Sequence, residues 1–195
     1  MTQAFSSLVP AVLRASTVKF DSLDDFITRG SRLPDGFSYG TTGTPSHRQL
    51  ERRIAKMDKG SHCVVVPSGQ AAIALVMMTL LKSGDHLLIS DSSYGPAQTF
   101  AMEQMAQLGV QVERYNPSID GESLGKLIRP TTRLLLLESP GSITMEVQDV
   151  APLIEQARKH GVLTAIDNTW SSPLYFQPLA LGVDLCIHAC TKYMM

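Results

Sequence analysis

From residue 61 onward, short runs rich in Val, Ile and Leu alternate with stretches of helical periodicity, and few folds accommodate that rhythm. Strands are expected at 63–66, 86–90, 111–115, 133–138, 163–166 and 183–188, with helices at 70–82, 96–108, 122–128 and 150–160 between them. Gly84, Gly109 and Gly161 follow helical runs, and Asp149 with Pro152 opens the last of them. Strands that are apolar throughout and separated by crossover helices belong to an α/β fold, a mainly parallel sheet with helices on both faces. Residues 1–59 do not share the rhythm. There a Gly- and Pro-punctuated arm (Gly30, Pro34, Gly36, Gly40, Gly43, Pro45) leads into a helix near 47–57. The expected organisation is an N-terminal arm and first helix over 1–59, then a large domain over 60–195.

A chain of 195 residues that is 44% hydrophobic can bury a core of ordinary size. Its formal net charge of −1 argues against a nucleic-acid partner. The densest basic stretch, 48–59, is interrupted by Glu51 and Asp58 and reads as a solvated helix face. The apolar stretch 71–81 is too short to cross a bilayer, and the first residues do not resemble a secretory signal, so no membrane partner and a cytoplasmic location are expected. Cys63, Cys186 and Cys190 do not look like a disulfide framework. Cys186, His188 and Cys190 alternate along one expected strand and would share a face. That segment offers three ligands at most, so buried packing rather than a metal is the expectation.

In a sheet of this kind ligands collect beyond the carboxyl ends of the strands. Ser68, Gly69, Ser93, Tyr94, Asp167, Asn168 and Lys192 all fall just after an expected strand. Ser68-Gly69-Gln70 runs from a strand into a helix, where outward-pointing amides make a phosphate cradle; the same turn occurs in many α/β proteins that bind nothing there. Tyr94 could lie over an aromatic ring or could be an exposed turn tyrosine. Asp167 directly follows the apolar run 163–166 and would be costly to bury unpaired, which a protonated ring nitrogen would remedy; capping of the next turn is the plainer alternative. Lys192, 25 residues further on, carries an amine able to form a Schiff base and then move protons, and Thr191 beside it could donate to a phosphate. A lysine in this position is ordinarily a solvated charge, so its weight comes from the motif around it.

Taken together, Tyr39-Gly40, Ser68-Gly69-Gln70-Ala71-Ala72, Glu138-Ser139-Pro140, Asp167-Asn168-Thr169-Trp170 and Thr191-Lys192-Tyr193 resemble the cysteine and methionine metabolism enzymes that use pyridoxal 5'-phosphate. Trp170 after Asp-Asn-Thr and the segment from Tyr39 to Pro45 look most like the bacterial cystathionine β-lyase branch. The resemblance implies the large domain of a fold-type I transferase-like protein, working as a homo-oligomer on an amino-acid substrate, cystathionine, by α,β-elimination. The same machinery serves γ-lyases and γ-synthases, and a catalytically silent cofactor-binding fragment is a further alternative.

Position by position, the resemblance makes Lys192 the Schiff-base lysine, Asp167 the partner of the pyridinium nitrogen and Tyr94 the stacking tyrosine. Ser68, Gly69, Gln70 and Thr191 would hold the phosphate, and Tyr39 would be lent to a neighbouring subunit's phosphate site. Two positions depart from the family pattern: Thr41 stands where many relatives have Arg, and Ala189 where many have Ser. Each removes a phosphate contact. In the family a small domain with a carboxylate-binding arginine follows the lysine, which implies an incomplete domain and little lyase activity for these 195 residues alone.

Overall fold

The computed structural model describes residues 8–33 and 35–194, so Pro34 lies outside the described residues. They fall into two compact units. One runs to Lys56 and takes in Ser61–Val65; the other takes Met57–Gly60 and everything from Val66.

The first unit holds α1 (Leu23–Ile27), 3-10 turns at Thr28–Arg32 and Gly40–Thr42, and most of α2 (Pro45–Asp58). Ser22 caps α1 by accepting the amide of Asp25 at 3.1 Å, which satisfies one of the orphan donors at a helix start. Gly40 is required for a steric reason: its amide donates to the Ser16 carbonyl at 2.7 Å, and an added Cβ would run into the Ala15 carbonyl. Tyr39, beside it, is 46% exposed, and its hydroxyl accepts from Ser16 Oγ at 3.1 Å.

The second unit is built on five parallel strands, β1 (His86–Ser90), β2 (Gln111–Tyr115), β3 (Thr132–Glu138), β4 (Leu163–Asp167) and β5 (Leu185–Ile187), in the order β2-β1-β3-β4-β5. Its helices are α3 (Gly69–Leu80), α4 (Gly95–Thr99), α5 (Gly121–Leu127), α6 (Val150–Lys159), α7 (Ser172–Tyr175) and α8 (Pro178–Leu181). Side chains alternate across the strands, and both faces are apolar. Leu87, Ile89, Leu134, Leu136 and Ala165 pack with Ile73 and Met77 of α3, whereas Leu88, Leu135, Leu137 and Ile166 pack with Leu124 of α5 and Leu153 of α6. Full burial of each such leucine contributes about 1.5–3 kcal/mol. The α/β expectation is met, and with it the parallel sheet covered on both sides.

Three elements differ from the sequence expectation. Residues 63–66 form no strand: Val64 is 71% exposed, and the run divides between the two units instead of joining the ladder. An apolar run supplies no partner by itself. The helix expected at 96–108 begins with α4 but continues through a π-helical turn at Phe100–Met105 that buries Ala101 and Met105 against the sheet. β5 is confined to Leu185–Ile187, because it pairs with β4 only over Ala165–Asp167.

Candidate functional site

The chain leaves β1 toward β2 on one side and returns through β3 on the other, so the order reverses between β1 and β3, whose carboxyl ends are Ser90 and Glu138. Such a reversal opens a crevice for ligands. Its floor is a buried polar network. Gln148 Nε2 donates to Ser90 Oγ at 2.6 Å, the Gln148 amide donates to Ser139 Oγ at 3.0 Å, and the Tyr115 hydroxyl donates to Gln148 Oε1 at 3.3 Å. Burial drives the Tyr115 hydroxyl above its ordinary pKa, so it stays a donor.

The rim is continuous. The Tyr94 amide donates to Glu138 Oε2 at 2.6 Å, and Ser142 Oγ donates to Glu138 Oε1 at 2.6 Å. Glu138 is register-paired with Asp167 on β4. Asp167 Oδ1 accepts the Thr169 amide at 3.0 Å, and Thr169 Oγ1 accepts the Ala189 amide at 2.8 Å. Ala189 in turn lies against the start of α3, since a Cβ on Gly69 would fall 2.6 Å from its methyl. Gln70 Nε2 then donates to the Pro96 carbonyl at 3.3 Å, which returns to the Tyr94 turn.

Both rim carboxyls are electrostatically out of the ordinary. Burial pushes Glu138 up to about 7, against the two hydrogen bonds it accepts and with some repulsion from Asp167. Burial also raises Asp167 above the usual carboxylate range, opposed by its hydrogen bonds with Thr169 and by the nearby His188. No lysine or arginine among the described residues forms an ion pair with Asp167.

At the start of α3 the Ser68 hydroxyl accepts the Ala71 amide at 3.1 Å, while the Gly69 and Gln70 amides have no acceptor among the described residues. Two unpaired amides at a helix start favour an anion, and a half-buried carboxyl without a lysine or arginine partner favours a cation. A phosphate joined to a protonated ring nitrogen meets both needs, so the residues present fit pyridoxal phosphate.

The expected site residues therefore fall into three groups. Ser68, Gly69, Gln70, Tyr94 and Asp167 share the rim. Thr191 and Lys192 stand exposed on the turn after β5, where the Lys192 amide donates to the Ala189 carbonyl at 3.0 Å. Trp170 and Tyr193 meet edge to face, ring centroids 5.4 Å apart, which ties the Asp167 segment to the lysine segment. Tyr39 lies in the first unit.

Sequence reasoning gave Glu138 no role. Its signal was the one used for Asp167, a carboxylate directly after an apolar run, here Leu134–Leu137.

Fold and rim define an α/β cofactor-binding protein of the doubly wound kind. More narrowly, residues 1–195 match the family described as Cys/Met metabolism PLP-dependent enzyme, and the chain belongs to that family. It is 38% identical over 189 residues to cystathionine β-lyase of Bordetella avium, covering 95% of this chain and 47% of that one. It is 32% identical over 198 residues to an L-alanine/L-glutamate racemase of Wolbachia pipientis, covering 96% and 48%. A solved structure from Campylobacter jejuni that contains N'-pyridoxyl-lysine-5'-monophosphate superposes with a TM-score of 0.88 at 27% identity, over 96% of this chain and 46% of that one. The chain spans about half the length of the curated relatives it matches.

Proposed function

We propose that this chain provides the cofactor-holding sheet of a carbon–sulfur lyase that cleaves cystathionine by α,β-elimination to homocysteine, pyruvate and ammonia. The observation that carries the reading is the rim, which joins unpaired amides at one end to a half-buried carboxyl without a lysine or arginine partner among the described residues at the other. When bound, pyridoxal phosphate supplies an electron-accepting ring next to the substrate's Cα.

In this reading the Gly69 and Gln70 amides, the Ser68 and Thr191 hydroxyls and a Tyr39 lent by a second copy hold the phosphate. Asp167 keeps its charge against the ring nitrogen, and Tyr94 covers one face of the ring. Glu138 fixes the Tyr94 turn through the backbone. The Lys192 amine would hold the cofactor, and once free it would take the proton from the substrate's Cα and return one to the departing fragment. A homo-oligomer follows from the role given to Tyr39.

The racemase relative favours a second reading, in which the same lysine removes and returns the Cα proton with no bond to sulfur broken. Incubating the protein with pyridoxal phosphate, reducing with borohydride and mapping the modified peptide tests the common part: a pyridoxyl group on Lys192 is expected, and one placed elsewhere overturns it. Pyruvate from cystathionine then supports β-elimination. 2-Oxobutyrate would indicate a γ-lyase, and inverted amino acid a racemase.

A further inference from the structure

Three side chains with metal-ligating chemistry meet in the second unit, two of them from the end of β5 and one from far upstream. His188 Nε2 lies 2.8 Å from Asp58 Oδ2 and 3.3 Å from Cys186 Sγ, and Cys186 Sγ lies 3.7 Å from Asp58 Oδ1. Asp58 is 3% exposed and the His188 side chain 5%. The Met57–Gly60 stretch is held in place separately, by Gln177 Nε2 donating to the Met57 carbonyl at 2.9 Å. Cys190, the third member of the alternating trio in the sequence, is not part of the cluster; Asp58 takes its place.

We propose that Asp58, Cys186 and His188 form a three-ligand site for a divalent cation of the zinc class, distinct from the cofactor crevice. Tetrahedral bonds of about 2.0–2.3 Å to S, N and O ligands place those ligand atoms about 3.3–3.6 Å apart. The His188–Cys186 separation already falls in that range, the His188 Nε2–Asp58 Oδ2 contact opens by about 0.5 Å once the ion replaces the shared proton, and one ligand atom from each of the three residues lies within 4.8 Å of the others. One thiolate, one carboxylate and a neutral imidazole balance a dication, so the buried site ends neutral, and this donor set suits zinc or cobalt better than magnesium or calcium. Period-two geometry separates it from the crevice. Ile187, the register partner of Asp167, packs on the α3 side of the sheet, whereas Cys186 packs against the α5 and α6 side. Bound metal would pin the end of β5, four residues before Lys192, to Asp58.

The test is titration of the purified metal-free chain with zinc chloride and, in parallel, cobalt chloride. One equivalent of each is expected to bind, the cobalt form showing tetrahedral visible bands and a thiolate charge-transfer band of single-thiolate intensity. The double variant Cys63→Ser, Cys190→Ser should keep that band, and Cys186→Ser should lose it. Asp58→Asn and His188→Gln should each weaken binding at least about tenfold. No tight binding by the unaltered chain overturns the proposal whatever the variants do. A thiolate band that survives in Cys186→Ser but vanishes in the double variant places the metal elsewhere and overturns it equally.

Discussion

The backbone amide of Tyr94 donates to the carboxylate of Glu138 at 2.6 Å, across 44 residues of chain, and so locks the turn after β1 to the end of β3. These are the two strands between which the sheet order reverses. A side-chain carboxylate therefore sets the height of the turn that presents the tyrosine, and the tyrosine ring, 43% exposed, is left available for a ligand.

Glu138 makes the stability of the second unit depend on pH. The folded state holds its proton up to about 7, against an ordinary value of 4.5, so the folded state binds more protons than the unfolded chain in that window. Stability therefore falls as pH rises from 4.5 to about 7, by on the order of 3 kcal/mol for this group. Asp167, also raised, acts in the same direction, while the lowered pKa of buried His86 acts against it just below 6.5. Urea midpoints of the unaltered chain and Glu138→Gln are expected to converge at pH 5 and to separate at pH 8 with the variant the more stable. Parallel curves would show that Glu138 carries no such proton.

Asp167→Asn preserves shape and removes the charge proposed to face the ring nitrogen. In a full-length relative carrying this segment, elimination is expected to fall by at least about 100-fold while some cofactor remains bound, as read from pyruvate release alongside the visible absorbance of the cofactor. Normal turnover in the variant would remove Asp167 from the mechanism.

Gly69 and Ala189 form a contact that tolerates one methyl group only. A Cβ on Gly69 would come within 2.6 Å of the Ala189 Cβ, yet 3.2 Å from its Cα. Gly69→Ala is expected to cost about 1–3 kcal/mol by overpacking and to weaken cofactor binding, and Ala189→Gly in the same chain should recover much of both. Strictly additive effects in this double-mutant cycle would mean that the two segments do not meet as described.

Thr41 stands exposed in the first unit, at a position where the family resemblance implies an arginine. If a second copy lends this segment to the phosphate, Thr41→Arg adds a charge-assisted donor. Cofactor affinity, followed by equilibrium dialysis, is then expected to tighten at least about tenfold, since a hydrogen bond to a charged group contributes about 1.5–3 kcal/mol. Unchanged affinity would show that the segment does not reach a phosphate.

What the sequence determined by itself is local. β1 and β2 match the expected 86–90 and 111–115 to the residue, and α6 follows the expected helix at 150–160 to within one residue, because strand and helix periods are written into consecutive side chains. The motif places Asp167 at the end of an apolar run, and the structure puts it on the rim, whereas Lys192, singled out by its motif, stands exposed on the turn after β5. Tertiary structure decided the rest. The reversal between β1 and β3 depends on which strands pair, and that depends on both faces of the sheet finding cover at once. Run 63–66 had the composition of a strand yet joins no ladder of the sheet, and the Val65 amide donates to Glu51 Oε1 instead. Glu138 meets Tyr94 across 44 residues, and His188 meets Asp58 across 130. Periodicity cannot encode partners at such separations; they are selected when burial forces each buried polar group to find another.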